Sequence, residues 1–201
     1  MQRTMKLIYA LMILSIVMAA SPAAGRSYRF EMYANSDDVF LGLESEAPIA
    51  EEAVLNIGGG FIFSGADYTV GNLHFALKSE AFMPALTLGL GLKGVLGTAE
   101  DGSDDYDLAG LGFMVLGEYD FRKVYYNFPV LILSDITFAP ATLAFGDTDD
   151  YTEFNLRAKG YIVQSAALVL GYKKIVVHFD KGSDDYKLSE DMFYFGFEFL
   201  F

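Results

Sequence analysis

The sequence predicts an all-β protein, a transmembrane antiparallel up-and-down β-barrel of about ten strands, with eight to twelve as the range. Three observations carry this. The final stretch alternates without a break: Phe193, Phe195, Phe197, Phe199 and Phe201 fall on one side, and Tyr194, Gly196, Glu198 and Leu200 on the other. Similar alternation recurs through the chain from Arg26 onward. No later segment is an unbroken apolar run of the about 20 residues that a spanning helix needs.

The alternation matters because a strand sends successive side chains to opposite faces. Five phenylalanines on one exposed face would be an aggregation hazard in water. On a barrel strand that face meets lipid. The same ending resembles the C-terminal assembly signal of bacterial outer-membrane proteins, carried by Tyr194, Gly196, Phe199 and Phe201.

The chain opens on a secretory leader. Arg3 and Lys6 supply the charged region, residues 7–18 an apolar run, and residues 19–25 the small residues that cleavage wants. We expect a leader over 1–25, cut near 23–25, and one barrel domain over 26–201. The 201 residues include no cysteine, which excludes disulfides, thiol chemistry and a lipid-modified cysteine. The net charge is −13, and the leader holds two of the 14 basic residues and no acid. The remainder is therefore more acidic still, which argues against nucleic-acid partners.

In order, the expected strands cover about 27–34, 39–45, 53–64, 71–81, 85–96, 106–121, 124–138, 151–163, 166–179 and 190–201. The first sets Tyr28, Phe30 and Met32 against Arg29, Glu31 and Tyr33, and the second sets Val39, Leu41 and Leu43 against Phe40, Gly42 and Glu44. The third places Leu55, Ile57, Phe61 and Phe63 opposite Asn56, Gly58 and Gly60, and the fourth opposes Leu73, Phe75 and Leu77 to His74, Lys78 and Glu80. In the fifth, Leu86, Leu88, Leu90 and Leu92 oppose Gly89, Gly91 and Lys93. The sixth opposes Leu111, Phe113, Val115 and Tyr119 to Gly110, Gly112, Glu118 and Asp120. The seventh turns Asp135 and Asn127 inward, with Pro129 awkward for a ladder. The eighth opposes Phe154, Leu156 and Ile162 to Glu153, Asn155, Arg157 and Lys159, and the ninth faces Leu168, Leu170, Tyr172 and Lys174 outward.

The expected lumen-facing polar residues are thus Arg29, Glu31, Asn56, His74, Lys78, Glu80, Lys93, Glu118, Asp120, Glu153, Asn155, Arg157, Lys159 and Glu198. Apolar faces this large on every strand do not fit inside one small soluble barrel, and their glycine-rich opposite faces suit a crowded lumen. Those features set aside a sandwich and a lipocalin-like barrel.

The connections also suggest an orientation. Those at 35–38, 65–70, 97–105, 139–150 and 180–189 read as outside loops, three of them long. Those at 46–52, 82–84, 122–123 and 164–165 read as inside turns, the last three very short. Asp-Asp recurs in four of the outside loops, and two copies read Gly-Ser-Asp-Asp-Tyr, at 102–106 and 182–186. Asp104, Asp105, Asp149, Asp150, Asp184 and Asp185 form a candidate acidic rim for divalent cations or lipopolysaccharide. Gly, Ser and Asp are equally ordinary turn formers.

Catalytic chemistry is thin. The two histidines, His74 and His178, lie on separate strands, and no phosphate loop, zinc spacing or nucleophile elbow is present. The sequence leads us to expect no enzyme, cofactor or metal site.

The mature chain resembles the YfaZ family of outer-membrane proteins. The best local matches are Leu86-Thr-Leu-Gly-Leu-Gly-Leu-Lys-Gly94, Phe138-Ala-Pro-Ala-Thr142 leading to Asp150-Tyr-Thr-Glu-Phe-Asn155, and Leu170-Gly-Tyr172. The resemblance implies an outer-membrane barrel, sometimes called porin-like, with no established reaction. The expected function is a small porin-like or structural barrel with a narrow, largely plugged, charged lumen. The alternative is a surface-binding barrel using its acidic loops. Expected partners are outer-membrane lipid and lipopolysaccharide, the barrel-assembly machinery and, at the loops, divalent cations.

Overall fold

A computed structural model describes residues 26–65, 68–101, 104–125, 128–180 and 185–201. The expected leader, Asn127 and Asp184 lie outside the described residues.

Among the described residues there are eleven strands: β1 (Ser27–Ala34), β2 (Asp38–Pro48), β3 (Ala53–Ser64), β4 (Tyr68–Glu80), β5 (Leu86–Asp101), β6 (Asp104–Asp120), β7 (Val130–Ala139), β8 (Ala144–Gly146), β9 (Thr148–Val163), β10 (Ala166–Asp180) and β11 (Asp185–Leu200). Each wall strand pairs antiparallel with its neighbours in chain order, and β11 returns to β1, so the sheet is a closed barrel of ten wall positions. β7 and the short β8 share the seventh position beside β6. The β1–β11 ladder from Arg29 to Ala34 closes the wall at that level without a free edge, the condition for a strand-built membrane span.

The seam between β1 and β11 pairs Arg29 with Leu200 through Ala34 with Phe195. Past the strand end, Tyr28 N donates to Phe201 O at 3.1 Å and Phe201 N donates to Tyr28 O at 2.9 Å. The last phenylalanine is thus tied into the wall by its backbone while its ring points out, 78% exposed.

The strand phases follow the alternation. Leu73, Phe75, Leu77, Leu90, Phe113, Val115, Ile136, Leu170, Phe193 and Phe195 are all exposed on the outer face. The wall's polarity then inverts toward one end. Near the strand ends Ala34, Asp38, Ser64, Tyr68, Asp101, Asp104, Gly146, Thr148, Asp180 and Asp185, which we term the upper end, the outer face carries Thr98, Glu100, Asp105, Asp107, Asp149, Asp180, Lys187, Ser189 and Asp191, all exposed. Inside that same level sits an apolar cluster that includes Ile62, Val70, Val95, Leu108, Tyr151, Ile175, Val177, Phe179 and Leu188. A wall that is polar outside and apolar inside is built for water, and the reverse for lipid. The upper strand ends therefore project from the apolar belt as a solvated collar with its own small core.

Several sequence expectations are corrected here. The acidic segments 97–105, 139–150 and 180–189 are mostly strand, not long loops. Inward residues within them (Ala99 and Leu188) and next to them (Tyr106, Tyr151 and Phe179) find apolar partners, and this burial extends the ladders past the Gly/Ser/Asp signals. The expected contrast of long outside loops with very short inside turns is absent. At most four residues separate strands at the upper end, while 121–129 at the lower end is the longest connection.

The tight turn expected at Arg122-Lys123 is a 3-10 turn over Phe121–Lys123, and the next strand begins at Val130 instead of Val124. Pro129 lacks an N–H, so ladder donation can begin only after it, although its carbonyl accepts from Tyr161 N at 2.9 Å. Between β7 and β8, Pro140 opens a second 3-10 turn over Ala141–Leu143. The hairpin then closes at Gly146, whose φ of +68° a Cβ would strain. Side chains complete the ladder there: the Asp147 carboxylate accepts from Asp107 N, and Thr148 Oγ1 both accepts from Ala109 N and donates to Asp107 O.

Candidate functional site

Ion pairs reach from strand to strand across the lower half of the lumen. Lys78 on β4 binds Glu118 on β6 at 2.7 Å and Glu46 on β2. Arg29 on β1 binds Glu46 at 2.8 Å and Glu44 at 3.1 Å, and its Nε lies 3.8 Å from Glu198 on β11. Lys159 on β9 sits between Glu198 and Glu31, the latter at 3.2 Å. Arg157, two residues earlier, binds Glu31 at 3.0 Å and Asp135 on β7 at 3.5 Å. One connected set of charges thus runs round the barrel from β6 to β7. A second set lies beside it: Glu153 takes Lys93 at 2.7 Å and Lys173 at 3.0 Å, and Tyr151 Oη donates to the same carboxylate.

The period of two brings these groups inward, and glycine makes room for them. A Cβ at Gly58 would lie 2.6 Å from the His74 ring and 2.7 Å from Glu44 Cγ. The Tyr194 ring lies directly over Gly171. Tyr33 stacks between Phe40 and Tyr194, with centroids 5.3 and 5.0 Å apart. Tyr194 Oη donates to Asn155 Oδ1 at 2.6 Å, and Asn155 Nδ2 donates to Asp135 at 3.0 Å.

Most of the lumen residues expected from sequence lie in this network: Arg29, Glu31, Lys78, Lys93, Glu118, Glu153, Asn155, Arg157, Lys159 and Glu198. Asn56 and His74 adjoin it, His74 Nε2 standing 2.9 Å from Asn56 Oδ1 and Asn56 Nδ2 reaching Glu44 at 3.4 Å.

Glu80 is a correction. It keeps the inward phase but lies past the end of the lumen, 46% exposed at the lower rim. Hydrogen bonds from Lys123 Nζ and the Ala85 amide hold its carboxyl below the ordinary range there. Asp120 also belongs to that rim. It grips Arg122 at 2.7 Å, and the guanidinium carbon stands 3.9 Å from the centre of the Tyr161 ring. The bond to Asp120 raises the Arg122 pKa.

Lys173, Glu44 and Glu46 are functional-looking residues missing from the expected lumen set. Parity held the signal for Lys173, because it shares its phase with Val169 and Gly171 while Lys174 shares that of Leu170 and Tyr172. Glu46 was read as connection, yet β2 runs on to Pro48.

Of the acidic rim, Asp104, Asp105, Asp149 and Asp185 are exposed at the upper strand tips. Asp150 stands 2.8 Å from His178 Nδ1. Among the described residues, no group of three or more His, Asp or Glu is placed to hold a metal ion.

The YfaZ precursor family model matches residues 5–201. The chain belongs to the YfaZ family. No curated protein matches its sequence. Among solved structures, LpxR from Salmonella typhimurium is 12% identical, covers 89% of this chain and 84% of its own, and gives a TM-score of 0.38. The translocator domain of the autotransporter NalP from Neisseria meningitidis is 9% identical over 98% of this chain and 95% of its own, with a TM-score of 0.27. A structure from work on in-meso crystallization of membrane proteins is 9% identical over 88% and 83%, with a TM-score of 0.44. Likeness at this level passes no role to the YfaZ chain.

Proposed function

We propose that this YfaZ protein is an integral outer-membrane barrel that is closed to bulk solute flow. The carrying observation is the stacking of two seals inside one wall. The ion-pair set from Glu118 to Asp135 occupies the lower lumen, and the apolar cluster around Val70, Tyr151 and Ile175 occupies the collar above it. A ten-strand wall is only a little wider than the roughly eight-strand barrels whose interiors side chains fill. The leader read at 1–25 would take the chain across the inner membrane. The lower end would then face the periplasm and the acidic tips would face outward.

No reaction is assigned. His74 and His178 are engaged by Asn56 and Asp150. Tyr194, Gly196, Phe199 and Phe201 serve as the assembly signal read by the barrel-assembly machinery. Fractionation with outer membranes, together with a heat-modifiable gel shift, tests the location. Recovery in the soluble periplasmic fraction ends this reading.

A second reading is that the acidic tips gather divalent cations and bridge lipopolysaccharide phosphates. Its support is the shared placement of Asp104, Asp105, Asp149 and Asp185 at the upper end. Calcium titration followed by calorimetry tests it, and the absence of any heat of binding ends it.

A further inference from the structure

The lower end of the barrel carries apolar side chains where a solvated end would carry polar ones. Four connections lie there, at 49–52, 81–85, 121–129 and 164–165. Ile49 is exposed in the first, Phe82 and Met83 in the second, Tyr125 and Phe128 in the third, and Val163 stands exposed just before the fourth. Between strands at the upper end the described residues are Asn35, Ser36, Asp37, Gly65 and Asp147. Connections that face water have that second composition.

Phe82 is the sharpest case. Met83 N donates to Ala81 O at 2.7 Å across it, and its φ is +64°, the rare form of a three-residue turn. A residue with a Cβ is strained there, and glycine would relieve the strain. The hairpin instead keeps a phenylalanine that is 92% exposed. At that exposure the ring packs on almost nothing in the barrel, so no internal contact offsets the strain.

The distribution of these side chains identifies what covers them. A protein partner would cover a patch on one side. Here they recur at all four lower connections, and the exposed Phe201 adds another at the β1–β11 seam. They also continue the lipid-facing wall, because exposed Leu77 on β4, Leu88 on β5 and Ile162 on β9 lead down to them. Paired charges share the rim, Glu80 with Lys123 and Asp120 with Arg122. Aromatic rings mixed with charged groups suit the boundary between lipid headgroups and acyl chains. Resting on the outer-membrane reading above, we infer that the lower connections are seated in that boundary, with phospholipid as their partner. The barrel is anchored at this end and projects from the membrane only at its collar.

The chain contains no tryptophan, so single-tryptophan variants report without background. Phe82→Trp, Tyr125→Trp and the mid-belt Leu90→Trp are refolded as full chains into phosphatidylcholine vesicles. The lipid carries bromine either just below the carbonyls or near the chain ends, and iodide on both sides serves as the aqueous quencher in a separate run. Leu90→Trp tests insertion itself: it should be quenched most by the deep bromine, and no quenching by either lipid would end the membrane reading and this inference with it. In an inserted barrel, Phe82→Trp and Tyr125→Trp should both lose most emission to the shallow bromine and little to iodide. Quenching of both by iodide and by neither lipid would overturn the inference while the membrane reading stands. Bromine quenching at only one of the two would overturn the ring, and stronger quenching of both by the deep bromine would overturn the boundary placement.

Discussion

Lys159 and Glu198 meet inside the barrel with neither side chain exposed to solvent, and Glu31 holds the same ammonium from β1. Two carboxylates around one buried cation make that cation indispensable. Lys159→Met leaves both acids facing each other with Arg29 and Arg157 as remaining partners. Breaking a buried ion pair from one side costs about 3–5 kcal/mol. Urea unfolding of the refolded barrel in vesicles should show a loss of that size. Adding Glu198→Gln to Lys159→Met should recover part of it.

The closing seam gives a second expectation. A Cβ at Gly196 would collide with the Met32 carbonyl and lie 2.6 Å from Tyr33 Cδ1 and 2.7 Å from its Cα. Backbone on the neighbouring strand cannot yield as a side chain does. Gly196→Ala should therefore cost about 1–3 kcal/mol, read as a lower urea midpoint and a weaker heat-modifiable band.

The aromatic ending is separable from that packing effect. Phe199 and Phe201 point out of the barrel, so serine there removes no lumen contact. Replacing both with serine should slow membrane assembly in cells while leaving detergent refolding of the purified chain largely intact. Normal insertion in cells would refute the assembly-signal role.

The inversion of wall polarity can be read on one strand. Leu170 and Val176 share the outer face of β10, with Lys174 between them. A charge in the middle of the lipid belt costs about 2–4 kcal/mol, and one near the interface about 0–1. Leu170→Arg should destabilise the barrel in vesicles by the larger amount and Val176→Arg by the smaller. Equal costs would mean that the solvated collar is placed wrongly.

The phases of the strands were legible because alternation is a local signal. Phe193 to Phe201, or Leu86 to Leu92, need no partner to be read. Strand ends were not legible, because they depend on what lies across the lumen. Tyr106 opens one expected strand and Phe179 closes another, and the Gly, Ser and Asp just beyond them locally read as turns. In the fold their rings lie 5.3 Å apart, and the ladder continues past them. The apolar collar core was hidden for the same reason. Which cation meets which acid was equally out of reach, since Lys93 and Glu153 are 60 residues apart and meet only once the barrel has closed.

Single-channel recording on the refolded protein in planar bilayers bears most directly on the central claim of a sealed lumen. The interlocked ion pairs beneath an apolar collar should give a silent membrane with no more than brief, small openings. A large, stable open conductance from the wild-type barrel would contradict it.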